Sequence, residues 1–173
     1  MGTPSLRREI SAWDDKDAGA IRGVYERRSP MRGFVASLIR FTAEPDLECG
    51  ATWLLKHHLE AGHTLSADQA RAFYAASARC EGWAARLHAL QIMDFVAVPA
   101  GAVRDAKRLI ERGLADENIL VRAWAYNGFA RLAETHPRDR EEAERLLNDA
   151  EASETAASVK ARIRNIRKRW NRR

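Results

Sequence analysis

A chain of 173 residues, 46% hydrophobic and 31% charged, carries enough apolar surface for one compact core and is short for two domains. Sparse proline, abundant alanine and scattered β-branched residues favour helix over sheet and argue against a disordered chain. The net charge of +5 is uneven: residues 155–173, TAASVKARIRNIRKRWNRR, hold eight basic side chains and no acid, which leaves −3 on the rest.

The opening MGTPSLRREISAWDDKD lacks an apolar run long enough for a signal peptide. In DDKDAGAIRGVYERR, the carboxylates of Asp14, Asp15 and Asp17 suit the positive end of a helix dipole, and Ile21, Val24 and Tyr25 form an apolar face. In RRSPMRGFVASLIRF, Ser29 as N-cap and Pro30 at the first helical position predict a second helix carrying Met31, Val35, Leu38 and Ile39. The next helix is expected from Pro45 to a stop at Gly62, with Leu47, Ala51, Leu54, Leu55 and His58 inward. Ser66 and Gln69 have capping-box spacing and precede Ala70, Phe73, Tyr74 and Ser77.

EGWAARLHALQIMDFVAVP is apolar over much of its circumference and is expected to be largely buried up to Pro99. AGAVRDAKRLIERG places Val103, Ala106, Leu109 and Ile110 on one face and ends at Gly113. LADENILVRAWAYNGFARLAE follows, broken at Pro137, and RDREEAERLLNDA turns Ala143, Leu146 and Leu147 inward. In the last helix Val159, Ile163, Ile166 and Trp170 form a stripe. No segment has a strand pattern, so the fold class is all-α.

An internal period runs through these helices. Arg86 in WAARLHALQIMDFV aligns with Arg122 in ILVRAWAYNGFARL 36 residues later, and Lys160 in ASVKARIRNIRKRW follows by 38. Arg32 precedes Arg86 by 54, with the helix near 66–79 taking up the extra length. On these residues the chain resembles the HEAT-repeat family, most sharply in GLADENILVRAWAYNGFARLAE, where Asp116 and Val121–Arg122 have the family's spacing and Ala125 and Leu132 fall on its core positions. The resemblance implies a short α-α superhelix of stacked antiparallel helix pairs over residues 1–173, in units 12–28, 29–62, 66–114, 115–150 and a terminal helix 155–173. It also implies a structural ladder between repeats for Asp116, Arg122 and Arg86. The other units depart from the pattern: position 80, six before Arg86, is Cys, and Glu26 stands six before Arg32.

No residues assemble into a recognisable chemical motif. Cys49 and Cys80 form no CxxC or Cys/His cluster and suit a reducing compartment. His57, His58, His63, His88 and His136 lack zinc-ligand spacing. There is no G-x-S-x-G elbow and no Gly-rich phosphate loop. The expectation is a cytoplasmic, non-catalytic module without cofactor, metal or membrane span, binding a protein partner through a helical-repeat groove.

A weaker resemblance, to HEAT-like DNA-alkylation-repair glycosylases, implies nucleic-acid binding instead, although no catalytic Asp can be placed and the chain is shorter than that family. Trp53, Trp83, Trp124 and Trp170 recur about once per unit, either filling gaps between layers or offering stacking surfaces. Candidate groove and anion-binding residues are Trp83, Arg104, Lys107, Arg108, Trp124, Tyr126, Arg138 and Arg145. Glu111, Glu141, Glu142 and Glu144 stand at spacings that allow local pairing with the basic members. Lys160, Arg164, Arg167, Lys168, Arg169, Arg172 and Arg173 form a second basic set.

Overall fold

The computed structural model describes residues 5–172; residues 1–4 of the opening segment and Arg173 of the basic set lie outside them. Within that span are α1 (Leu6–Ser11), α2 (Ala18–Arg28), α3 (Phe34–Phe41), α4 (Glu48–Glu60), α5 (Ala67–Ser77), α6 (Trp83–Ile92), α7 (Val103–Leu114), α8 (Ile119–Thr135), α9 (Arg140–Ser153) and α10 (Ala157–Trp170). Short 3-10 turns, Ala100–Ala102 and Pro137–Asp139, lead into α7 and α9. No strand occurs among the described residues.

The helices form two rows. α4, α6, α8 and α10 lie side by side, and α3, α5 and α7 make the second row, with α3 packed on α4 and α7 on α8. α1 and α2 sit against α4 at one end, and α9 lies on α8 and α10 at the other. Polar contacts fix the direction of the first row. Glu48 at the start of α4 accepts from the backbone N–H groups of Glu81 and Gly82 just before α6. Arg86 at the start of α6 bonds Asp116 just before α8, and Arg122 at the start of α8 pairs with Glu154 just before α10. At the far ends Asp94 bonds Arg131, and Glu134 bonds Arg169 and Trp170. These four helices therefore run parallel.

Local signals explain most of the boundaries. The Asp17 carboxylate caps α2 by accepting from the Gly19 and Ala20 N–H groups. Ser66 and Gln69 make a reciprocal capping box on α5. Gly62, at φ 93, supplies the left-handed turn after α4. α3 departs from expectation: Ser29 closes α2 rather than opening α3, and residues 30–33 form a turn that ends at Gly33, φ 80. α6 stops at Ile92, well short of Pro99, and the following loop is held by Tyr74 donating to the Val96 carbonyl.

α8 is the central element, covered by α6, α7, α9 and α10. Val121, Ala123, Ala125, Asn127, Gly128, Phe129, Ala130, Leu132 and Ala133 are all buried on it. Its small residues permit close helix approach. A methyl group at Gly128 would come within 2.8 Å of the Met93 sulfur, and one at Gly113 of α7 within 2.9 Å of the Ala125 Cβ. Gly113, one residue before the end of α7, thus serves as a contact point. Each fully buried leucine or isoleucine in this core, such as Leu54, Leu90, Leu109 or Ile163, contributes roughly 1.5–3 kcal/mol. α8 packs more extensively on α7 than on α9.

Candidate functional site

Two arginines organise the edge where the first-row helices begin. Arg86 donates to the Cys80 and Glu81 carbonyls, six and five residues back, and to the Asp116 carboxylate of the next turn. Arg122 donates to the Asp116 and Glu117 carbonyls, again six and five back, and faces Glu154 at 3.6 Å. Each arginine ties down the turn before its own helix and joins it to the turn of the next. Asp116 and Arg122 do not pair through their side chains: the Asp116 carboxylate takes Arg86 and the Asn118 N–H.

The same edge exposes large apolar groups. Trp83 is 52% exposed, Ile119 45% and Leu120 52%. Trp83 and Ile119 are the first residues of α6 and α8, 36 apart, the same interval that separates Arg86 from Arg122. Trp83 stands between two cavities. One, of about 550 Å³, is lined by Glu81, Arg86, Arg112, Asp116 and Glu117; the other, of about 410 Å³, by Asp15, Lys16, Pro45, Glu48 and Cys49. Glu48 is buried, and its two backbone hydrogen bonds, 2.9 and 2.5 Å to the Glu81 and Gly82 N–H groups, hold the turn from which α6 starts. Trp83 is therefore displayed on a fixed helix start.

The other expected groove residues are distributed elsewhere. Trp124 is half-buried on α8 beneath Arg162, whose guanidinium lies 3.9 Å from the ring centre. Tyr126 is half-buried, and burial, then Glu154, pushes its phenol up. Lys107 is taken by Asp139 at 2.6 Å and Glu142 at 3.1 Å, and Asp139 foremost pushes its ammonium pKa up. Arg145 pairs with Glu141 at 3.7 Å. Arg104 and Arg108 are exposed on α7, and Arg138 is exposed at the start of the turn into α9. No hydrogen bond, ion pair or ring contact joins any two of the eight. Ile119, Leu120, Glu48 and Arg162 were not among the expected site residues. The 36-residue interval from Trp83 to Ile119 was the available signal for the first of them.

The thiols and imidazoles lie apart from this edge or in inert settings. Burial pushes both Cys49 and Cys80 up to about 12, so each is a thiol at neutral pH. His88 is pushed down to about 4 by burial, then by Lys56, and shares a 3.2 Å hydrogen bond with Thr52. His58 contacts the Tyr25 hydroxyl at 3.1 Å and stacks on His63 with ring centres 4.0 Å apart. Among the described residues, no three His, Cys, Asp or Glu side chains are grouped to hold a metal, and no helix is long and apolar enough to cross a membrane. Compared with protein-family models, curated proteins and solved structures, the chain matches nothing.

Proposed function

We propose that this chain is a non-catalytic recognition module, a short HEAT-like superhelix that docks a protein partner along the edge formed by Trp83, Ile119 and Leu120. The observation that carries the reading is the repeat of exposed bulk: Trp83 and Ile119 are the first residues of α6 and α8, and the exposed Leu120 follows Ile119 in the chain. A half-exposed tryptophan leaves on the order of 100 Å² to bury, worth about 2.5 kcal/mol before association costs. Tryptophan at the centre of a contact is the commonest kind of binding anchor. The parallel first row, with Arg86 and Arg122 making the same backbone contacts one period apart, supports the HEAT-like assignment.

The chemistry of the rim favours a partner segment with an apolar side chain beside a base. Asp15, Glu81 and Glu117 are exposed at the cavity margins and outnumber the one exposed cation there, Lys16, while Arg86 is already engaged by Asp116. A photo-crosslinking residue placed at 83 or at 120 should trap one and the same protein, and placed at Arg104 should not. Loss of that adduct on Leu120→Ser, with the melting temperature unchanged, would support the docking edge. Trapping only from position 104, or from none of the three, would refute it.

A further inference from the structure

The outer face of α10 carries a row of charge that nothing in the fold uses. Lys160, Arg164, Lys168 and Arg172 follow at four-residue intervals and are all exposed, and none makes an ion pair or side-chain hydrogen bond among the described residues. Their neighbours are already committed. Arg167 binds Asn148 and Glu151, while Arg169 binds Glu134 and Asn127. α10 has no acid in its first turn and no side-chain N-cap.

Helix stability does not account for this arrangement. Cations favour the last turn, where the dipole is negative, but Lys160 lies in the first turn, where it is opposed. Like charges four residues apart cost a few tenths of a kcal/mol per pair. The helix is nonetheless held firmly, with Val159, Ile163 and Ile166 fully buried and Trp170 donating to Glu134. Lys160, Arg164 and Lys168 therefore stand on a rigid rod, with Arg172 in the turn just past its end, and the stretch from Lys160 to Lys168 spans about 12 Å. At about 3.4 Å of duplex axis per phosphate of one strand, that length covers about four phosphates.

We propose that this face of α10 is a docking surface for the phosphate backbone of double-stranded nucleic acid, read without regard to sequence. A lipid surface is the poorer fit, because a helix that lies in a membrane interface needs its apolar face free, and here that face is the core contact. The inference is separate from the proposed partner edge, which lies at the starts of α6 and α8.

The test is a titration of the full chain against a labelled random-sequence duplex of about 20 base pairs, read by fluorescence anisotropy as salt is raised. Four phosphate contacts give a log–log salt slope of about −3.6, or a loss of roughly 150-fold in affinity between about 50 and 200 mM salt. Lys160→Gln, Arg164→Gln and Lys168→Gln should each reduce the slope by about 1, and Lys160→Arg should restore it. Thermal melting of each variant separates lost contacts from lost fold. Arg104→Gln/Arg108→Gln on α7 and Leu120→Ser should leave the titration unchanged. No binding at about 50 mM salt, a slope indifferent to the three α10 substitutions, or capture by phosphatidylserine vesicles without duplex binding would each overturn the proposal.

Discussion

Arg86 and Arg122, 36 residues apart, are each the fourth residue of a helix and reach the carbonyls six and five residues back, yet the two rungs they build differ. Arg86 and Asp116 have side chains only 11% and 8% exposed, and their contact is close. Arg122 and Glu154 are 23% and 13% exposed and stand 3.6 Å apart. The acid decides the difference. Asp116 is short and oriented by the Asn118 N–H, leaving its other oxygen for Arg86. Glu154 is longer, and one of its oxygens already accepts from the Thr155 and Ala156 N–H groups. The inner rung is a shielded pair, whereas the outer one is mainly a cap on its own turn with an arginine nearby.

The largest expected effect breaks the inner rung. Arg86→Ala leaves a shielded carboxylate without its counter-ion and two carbonyls without a donor, which should cost about 3 kcal/mol in a urea titration. A cycle with Asp116→Ala should show coupling of about 1–3 kcal/mol. Additive effects would mean that the rung does not act as a unit.

Acid separates the rungs from the histidine between them. Neutral His88 is pushed down to about 4 by burial and so takes up no proton in the fold where the unfolded chain, titrating near 6.5, does. Its contribution is complete above pH 6.5 and is lost as pH falls from there toward 4, for a total on the order of 3 kcal/mol. His58, lowered by burial and by His63, adds in the same direction. Glu154, held below the usual carboxylate range by the Ala156 N–H first and by Arg122 among the lesser causes, contributes stability that is lost as pH falls through its lowered pKa. His88→Gln should flatten the stability profile between pH 6.5 and 4 while leaving the steeper fall below it. An unchanged profile would assign that loss to other groups.

Arg122→Ala should come next, at about 1 kcal/mol, because its carbonyls can be rehydrated and Glu154 keeps its backbone partners. A loss equal to that of Arg86→Ala would erase the distinction between inner and outer rung. Unchanged stability would remove Arg122 from the ladder altogether.

The parts of the fold legible in the sequence were those set by neighbours along the chain. Val159, Ile163, Ile166 and Trp170 are buried as their spacing requires, and Ser66 and Gln69 cap as their separation allows. Where a boundary depended on tertiary contact, the local signal misled. Ser29–Pro30 reads as a helix start, but the chain needs the Gly33 turn before α3 can lie on α4. Gly113 reads as a stop and does mark the end of α7 to within a residue, but its small size serves the contact with α8 rather than a left-handed cap. The charges were the least legible. The acids that Arg86 and Lys107 find lie some 30 residues away and were not legible, nor was the Arg162 cover on Trp124, whereas the pairing of Arg145 with Glu141 follows their four-residue spacing.

The smallest expected effect on stability is the most informative about function. Trp83 shares its helix start with Arg86 but has half its surface in water, so Trp83→Ala should shift stability by under about 1 kcal/mol. It lies three positions from Arg86→Ala and should differ in kind: Arg86→Ala lowers stability, whereas Trp83→Ala leaves the fold intact and, on the proposed function, removes the contact with the partner. Collisional quenching of tryptophan fluorescence offers a direct check. Trp170 is nearly buried, Trp124 is covered by Arg162, and Trp13 and Trp53 pack against each other, so Trp83 should supply the most quencher-accessible component. Loss of that component in Trp83→Ala, with an unchanged melt, would make position 83 a free surface at the end of a stiff rung. A large drop in stability would instead make Trp83 part of the scaffold, and the docking edge would shrink to Ile119 and Leu120.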